Sequence, residues 1–225
     1  MHFQFLIEDY SGEVLITQIC NIISSRFPNS DITYNIKSFR GIGGFTPKNT
    51  VKETKTGKLL NDLATYLKGF DKALRGMPAS VFIVLDNDDR NTDVFMSELV
   101  KVAEINNITI DHVFCIAVEE MEAWLLGDEA AILKAYPKAK VSVLHSYVQD
   151  SICGTWEKLA DVVYSGGMKK LRKECTTYIE VGKIKSEWAK NIGQNMDIDD
   201  NKSDSFNHFI REVQNRCRNT DANSC

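Results

Sequence analysis

The run Val81-Phe82-Ile83-Val84-Leu85 passes without a break into Asp86-Asn87-Asp88-Asp89. An apolar run this short, mostly β-branched or aromatic, marks a strand buried on both faces, the kind that parallel sheets contain. Parallel strands need crossover helices, so the run points the chain towards an α/β fold. Such sheets gather ligands at the carboxyl ends of their strands, which is where Asp86 and Asp88 fall. Carboxylates one residue apart at a strand end suit a hard divalent cation. The alternative is that Asp86 caps the strand and the remainder is a polar turn leading to a helix at Asn91.

The neighbouring segments extend this pattern. Residues 3–7 read as a first strand ending at Glu8, and 11–27 as a helix with Ser11 as its N-cap and a stripe of Leu15, Ile16, Ile19, Cys20, Ile23 and Phe27. Residues 32–39 alternate as a second strand. A glycine-rich turn follows, Arg40-Gly41-Ile42-Gly43-Gly44. It has no Walker lysine and no GxGxxG spacing, so a plain turn is favoured over a phosphate cradle. Residues 45–58 read as a loop carrying Lys48, Lys52, Lys55 and Lys58. A helix over 59–74, the acidic strand 81–85, a helix over 92–106 and a strand over 112–118 complete the alternation. The fold expected is α/β, with a central, mostly parallel four-stranded sheet flanked by helices.

Strand signals fade after Asp128. Helical spacing covers 129–136, 156–164, 167–175, 182–192 and 205–217, the last capped by Ser203 or Ser205. Residues 1–128 therefore form the α/β core, 129–217 a helical extension packed on it, and 218–225 a frayed tail. The chain has 225 residues, 43% hydrophobic and 26% charged, with a net charge of −4. That balance excludes wholesale coating of nucleic acid but leaves room for a local basic groove. Six cysteines form no CxxC pair, so neither a disulfide framework nor a zinc site is expected. The N-terminus lacks a basic segment and a long apolar run, giving a cytoplasmic protein with no membrane partner. His2, His112, His145 and His208 are scattered and support no histidine mechanism.

Three strands end in acids: Glu8, then Asp86 with Asp88, then Glu119 or Glu122. On one sheet edge these charges repel unless something positive offsets them. One divalent cation, or a pair roughly 3.5–4 Å apart, would do so and would activate water. Glu119 and Glu122 are one helical turn apart and can face one spot, while Glu120 points elsewhere. Trp124 reads as core packing beneath the site.

The order of these segments resembles the Toprim pattern: a glutamate after the first strand, a small polar turn into a helix, then an Asp-x-Asp strand end. Together with Val118-Glu119-Glu120-Met121-Glu122-Ala123-Trp124-Leu125-Leu126-Gly127-Asp128 and the late Lys202-Ser203-Asp204-Ser205-Phe206, they look closest to a bacterial Toprim-like family of unknown function, often found in defence loci. That family is related to the Toprim domains of overcoming-lysogenization-defect nucleases, topoisomerases and primases. The resemblance implies Mg²⁺-dependent (or Mn²⁺-dependent) cleavage of DNA or RNA in genome or phage defence. It makes Glu8 general base or metal ligand and Asp86 and Asp88 the Mg²⁺ holders. Glu119 or Glu122 would complete a second metal site, and Lys183 would face the developing phosphate charge. It also allows an ATPase partner protein and a homodimer.

The turn departs from the family's usual Glu-Gly-x-Ser/Thr-Glu. Asp9 replaces the glycine and Gly12 precedes Glu13, which displaces the second acid. Asp-x-Asp is also similar to the haloacid-dehalogenase phosphatases, but Arg90 stands where those carry Thr or Val. Glu8-Asp9 resembles a phospho-receiver start, which leaves the helical extension without a role. The main rival is a non-catalytic Toprim-like module that binds a partner ATPase or nucleic acid.

Overall fold

The apolar run after Met77-Pro78 is a strand, and its neighbours follow the expected alternation. The structure is a computed structural model that describes residues 1–28, 31–46 and 57–222. Strands β1 (His2–Ile7), β2 (Thr33–Ser38), β3 (Ala79–Asp86) and β4 (Asp111–Ala117) form one sheet in the order β2-β1-β3-β4. Every neighbouring pair is parallel, so all carboxyl ends lie on one edge. Ile7 pairs with Val84, and Asp86 with Ala117, which places Glu8 beside the end of β3.

Helix α1 (Tyr10–Arg26) returns from β1 to β2, α2 (Leu59–Ala73) leads into β3, and α3 (Thr92–Ile105) joins β3 to β4. From β1 the chain first moves outward to β2, then crosses back to β3 on the other side. The strand order therefore reverses between β1 and β3, and their carboxyl ends frame the crevice where open α/β sheets hold ligands. Both sheet faces are buried. Phe5, Ile7, Phe82, Val84 and Cys115 face one core, and Leu6, Val81, Ile83, Leu85 and Ile116 the other. This double burial is why β3 is apolar without a break from Val81 to Leu85.

The remaining helices are α4 (Glu122–Leu126), α5 (Glu129–Ala135), α6 (Val141–Leu144), α7 (Thr155–Val163), α8 (Gly167–Glu174), α9 (Tyr178–Gly193) and α10 (Asp204–Ala222). Helix α10 lays Phe206 and Phe209 on Trp124, and Phe209 also meets the rings of Phe5 and Phe82 on the sheet. Trp124 is fully buried, stacks on Phe209 with 5.2 Å between centroids, and donates its Nε1–H to Ser205 Oγ at 2.9 Å. Ser203 caps α10 by accepting the Phe206 N–H.

Several boundaries differ from the sequence reading. Asp9, not Ser11, caps α1; its Oδ1 accepts from the Gly12 N–H at 2.8 Å. Helix α9 begins four residues before Gly182, because Thr177 and Glu180 form a reciprocal capping box upstream of it. Helix α10 runs on to Ala222, through part of the segment expected to fray. Lys48, Lys52 and Lys55, in the expected basic loop, lie outside the described residues. Among the described residues, no helix is long and apolar enough to cross a membrane.

Candidate functional site

Glu8 leaves β1 at the switch point, and Asp86 ends β3 next to it. The Asp86 N–H donates to Glu8 Oε2 at 3.3 Å, and Asp86 Oδ1 accepts from the Met121 N–H at 2.9 Å. Helix α1 closes in from one side. A Cβ on Gly12 would lie 2.6 Å from Ile7 Cγ2 and 2.9 Å from Met121 Sδ, so only glycine lets the first turn approach the strand end this closely.

Burial pushes the Glu8 carboxyl up to about 7, and the charges of Asp88 and Asp9 act in the same direction, against the Asp86 N–H. Asp86 is held well above the usual carboxylate range by burial, with Glu8 and Glu122 adding to the effect and Lys185 opposing it. Both values rise because each carboxylate loses water and faces others of its own sign.

Asp88 turns out of the strand in the left-handed region, φ +50°. Its N–H donates to the Glu119 carbonyl at 2.9 Å, and its carboxylate pairs with Arg90 at 2.6 Å. Arg90 in turn lies over the Phe95 ring. Asn87, between the two aspartates, is buried; its Nδ2 bonds Thr92 Oγ1 at 3.0 Å, and its Oδ1 has no partner. Asp89 is exposed, and Asn91 rather than Asp89 caps α3.

The segment after β4 divides its three glutamates. Glu119, at φ +61°, turns to the 153–155 loop and accepts from the N–H groups of Cys153 (3.0 Å), Gly154 (2.7 Å) and Thr155 (3.0 Å) and from the Thr155 hydroxyl. These donors overcome its burial and hold it below the ordinary glutamate range. Its oxygens are committed to fixing that loop. Glu122 stays at the strand-end cluster, almost entirely buried, 3.2 Å from Lys185 Nζ. Glu120 is drawn in beside it, contrary to the expectation that it points elsewhere. It lies 3.8 Å from Lys185 Nζ, accepts the Trp156 N–H at 3.0 Å, and is pushed by burial and by Glu122 up to about 8.

Lys185 is the basic group of the site, and Lys183, two residues earlier on α9, is exposed. Burial works against the Lys185 charge, but Glu122, Glu120 and Asp86 outweigh it and keep the ammonium firmly protonated. Lys185 was legible only once α9 was phased. A helix beginning at Gly182 would make Lys183 its first lysine, whereas the start at Tyr178 brings Lys185 to the cluster. The displaced acids of the first turn are also accounted for: Asp9 is spent on capping α1, and Glu13 accepts the Ser38 hydroxyl. The glycine-rich turn lies against the site edge, since the Gly41 N–H donates to the Glu8 carbonyl and Leu59 and Leu60 bond back to the turn.

The cluster thus joins Glu8, Asp9, Asp86, Glu120 and Glu122 around one lysine. Among the described residues no three His, Cys, Asp or Glu side chains already stand as a metal-holding group. Mg²⁺ needs only one or two carboxylates, with waters and substrate phosphates supplying the rest. An all-oxygen donor set with excess negative charge fits that ion. No protein-family model, curated protein or solved structure matches this chain.

Proposed function

We propose that this chain is a Toprim-like nuclease that cleaves phosphodiester bonds of DNA or RNA with Mg²⁺ or Mn²⁺, in the cytoplasm of a bacterium and in genome or phage defence. The observation that carries the reading is the Glu8–Asp86 pair. Two neighbouring carboxyls sit together at the switch point, both raised by burial and by like charge. The resemblance of the strand-end motifs to Toprim sequences supplies the reaction class.

In this reading Asp86 would hold the cation together with Asp88, whose half-exposed pair with Arg90 would open to admit it, and the cation would polarise the phosphodiester and lower the pKa of bound water. Glu8 accepts the proton of the attacking water, a task suited to a carboxyl raised towards neutrality. Lys185 Nζ faces the charge that develops on the phosphate oxygens, the role the resemblance implies for Lys183. Glu119 is withdrawn by the 153–155 loop and Glu122 by Lys185, which favours one cation over two.

The test is cleavage of plasmid, single-stranded DNA and tRNA with Mg²⁺ or Mn²⁺, beside Asp86→Ala and Glu8→Ala. Cleavage that survives both substitutions rules out this site. A second reading, a non-catalytic module acting with an ATPase or nucleic acid, draws support from Arg90 and Lys185, which already neutralise Asp88 and Glu122. Metal binding by calorimetry without cleavage of any substrate selects it.

A further inference from the structure

Helix α9 carries Lys185 into the acidic cluster, and the same stripe of that helix continues away from it. Tyr178, Gly182 and Lys185 stand at i, i+4 and i+7 and share one face. From Lys185 back to Tyr178 the helix rises about 10 Å. Tyr178 is 97% exposed, so its ring packs on nothing, and Ile179 beside it is 74% exposed. Between the two ends Gly182 leaves the face bare: a Cβ there would meet nothing within 4 Å.

The helix that precedes this track in the chain is basic. Helix α8, whose last residue Glu174 is only four positions from Tyr178, exposes Lys169, Lys170, Arg172 and Lys173. Lys170 and Arg172 have loose surface partners, Glu174 at 3.6 Å and Glu157 at 3.5 Å. Residues 138–185 hold nine Lys and Arg against five Asp and Glu, in a chain whose net charge is −4. Positive charge is therefore concentrated on the segment that borders the site. An exposed aromatic ring a few residues after a basic helix supplies the two groups, a stacking face and cations, that unpaired bases and their phosphates recognise together.

We propose that the α8–α9 face is the binding track for a single strand of nucleic acid entering the acidic cluster, with a base stacked on Tyr178 and phosphates beside Lys169 and Lys173. The inference rests on the nuclease reading for its direction towards the cluster, but its surface stands on exposure and charge alone. Duplex is disfavoured because its paired bases leave no free face for Tyr178.

The test is fluorescence anisotropy of the full chain with fluorescein-labelled single-stranded DNA, the same sequence as RNA, and duplex DNA, in EDTA so that nothing is cut. Single strands bind more tightly than duplex. Tyr178→Ala weakens single-strand binding roughly tenfold, and Tyr178→Phe retains it. Lys169→Ser with Lys173→Ser reduces the salt slope by about 1.4. Wild-type affinity in Tyr178→Ala with an unchanged salt slope in the lysine variant overturns the proposal. So does equal competition by polyglutamate, which would mark an acidic protein partner. Because Tyr178 packs on nothing, far-ultraviolet circular dichroism of its variants should match wild type. Asp86-dependent cleavage with unaltered binding in the surface variants sinks the track and leaves the nuclease reading. Tyr178-dependent binding with no cleavage does the reverse.

Discussion

Glu8 and Asp86, 78 residues apart in sequence, are joined by the hydrogen bond from the Asp86 amide to Glu8 Oε2. The bond aligns two acids at the sheet's switch point but neutralises neither. In the metal-free protein Glu8 therefore binds its proton more tightly folded than unfolded, at about 7 against an ordinary 4.5. Between those values the native state holds a proton that the unfolded chain has released, so stability falls as pH rises through this window and levels off above it. Glu8→Gln should flatten the fall and stabilise the protein at pH 8 by about 2 kcal/mol. Urea midpoints at about pH 5 and pH 8 measure this. Glu120, raised to about 8, adds a slope of its own, so the comparison is wild type minus variant. Identical pH slopes in the two proteins would refute the assignment.

Under the proposed function the same charges make metal binding stabilising. Mg²⁺ at a hundred times its Kd should add about 2.7 kcal/mol. The gain should be large at pH 8 and small near pH 5, where Glu8 keeps its proton. Asp86→Asn should abolish it. Thermal melts with and without Mg²⁺ at the two pH values read out both effects, and a gain that persists in Asp86→Asn would place the ion elsewhere.

Lys185 is bound to the fold as much as to the chemistry. Removing it leaves Glu122 and Glu120 facing each other with little solvent, and breaking a buried pair from one side costs about 3–5 kcal/mol. Lys185→Met should cost in that range, and Glu122→Gln added to it should recover a substantial part. Lys183→Met, on the exposed side of α9, should change stability by no more than about 0.5 kcal/mol. Chemical denaturation of the four proteins decides. Equal effects of the two lysine substitutions would mean that Lys185 does not face the cluster.

The sheet was legible because its strands obey two simple signals, short apolar runs and carboxyl-end acids. Val81 to Leu85 announced β3, and Glu8 and Asp86 stood where the topology brought them together. What escaped depended on directions that spacing does not encode. Glu119 and Glu122 are one turn apart only if the segment is already helical, but a left-handed Glu119 sends its side chain to the 153–155 loop and brings Glu120 to the cluster instead. Lys183 and Lys185 differ by about 200° around α9, and only the position of its capping box distinguishes them. Asp9, in the place of the family's glycine, spends its carboxylate on the first turn of α1.

Glu119 gives the sharpest contrast with the resemblance, which would make it a metal ligand. Its two oxygens accept three backbone N–H groups and one hydroxyl, so the carboxylate works as the anchor of the loop that starts α7. In Glu119→Gln an amide N–H₂ must face donors, at a cost of about 1–3 kcal/mol. Because Glu119 lies below its ordinary value when folded, its contribution is present at neutral pH and is lost as pH falls below about 4.5, the opposite sign to Glu8. Glu119→Gln should therefore lower the urea midpoint at pH 7 while leaving Mg²⁺ affinity, measured by calorimetry, within about twofold of wild type. A tenfold loss of Mg²⁺ affinity with an unchanged midpoint would return Glu119 to the metal site and detach it from the loop.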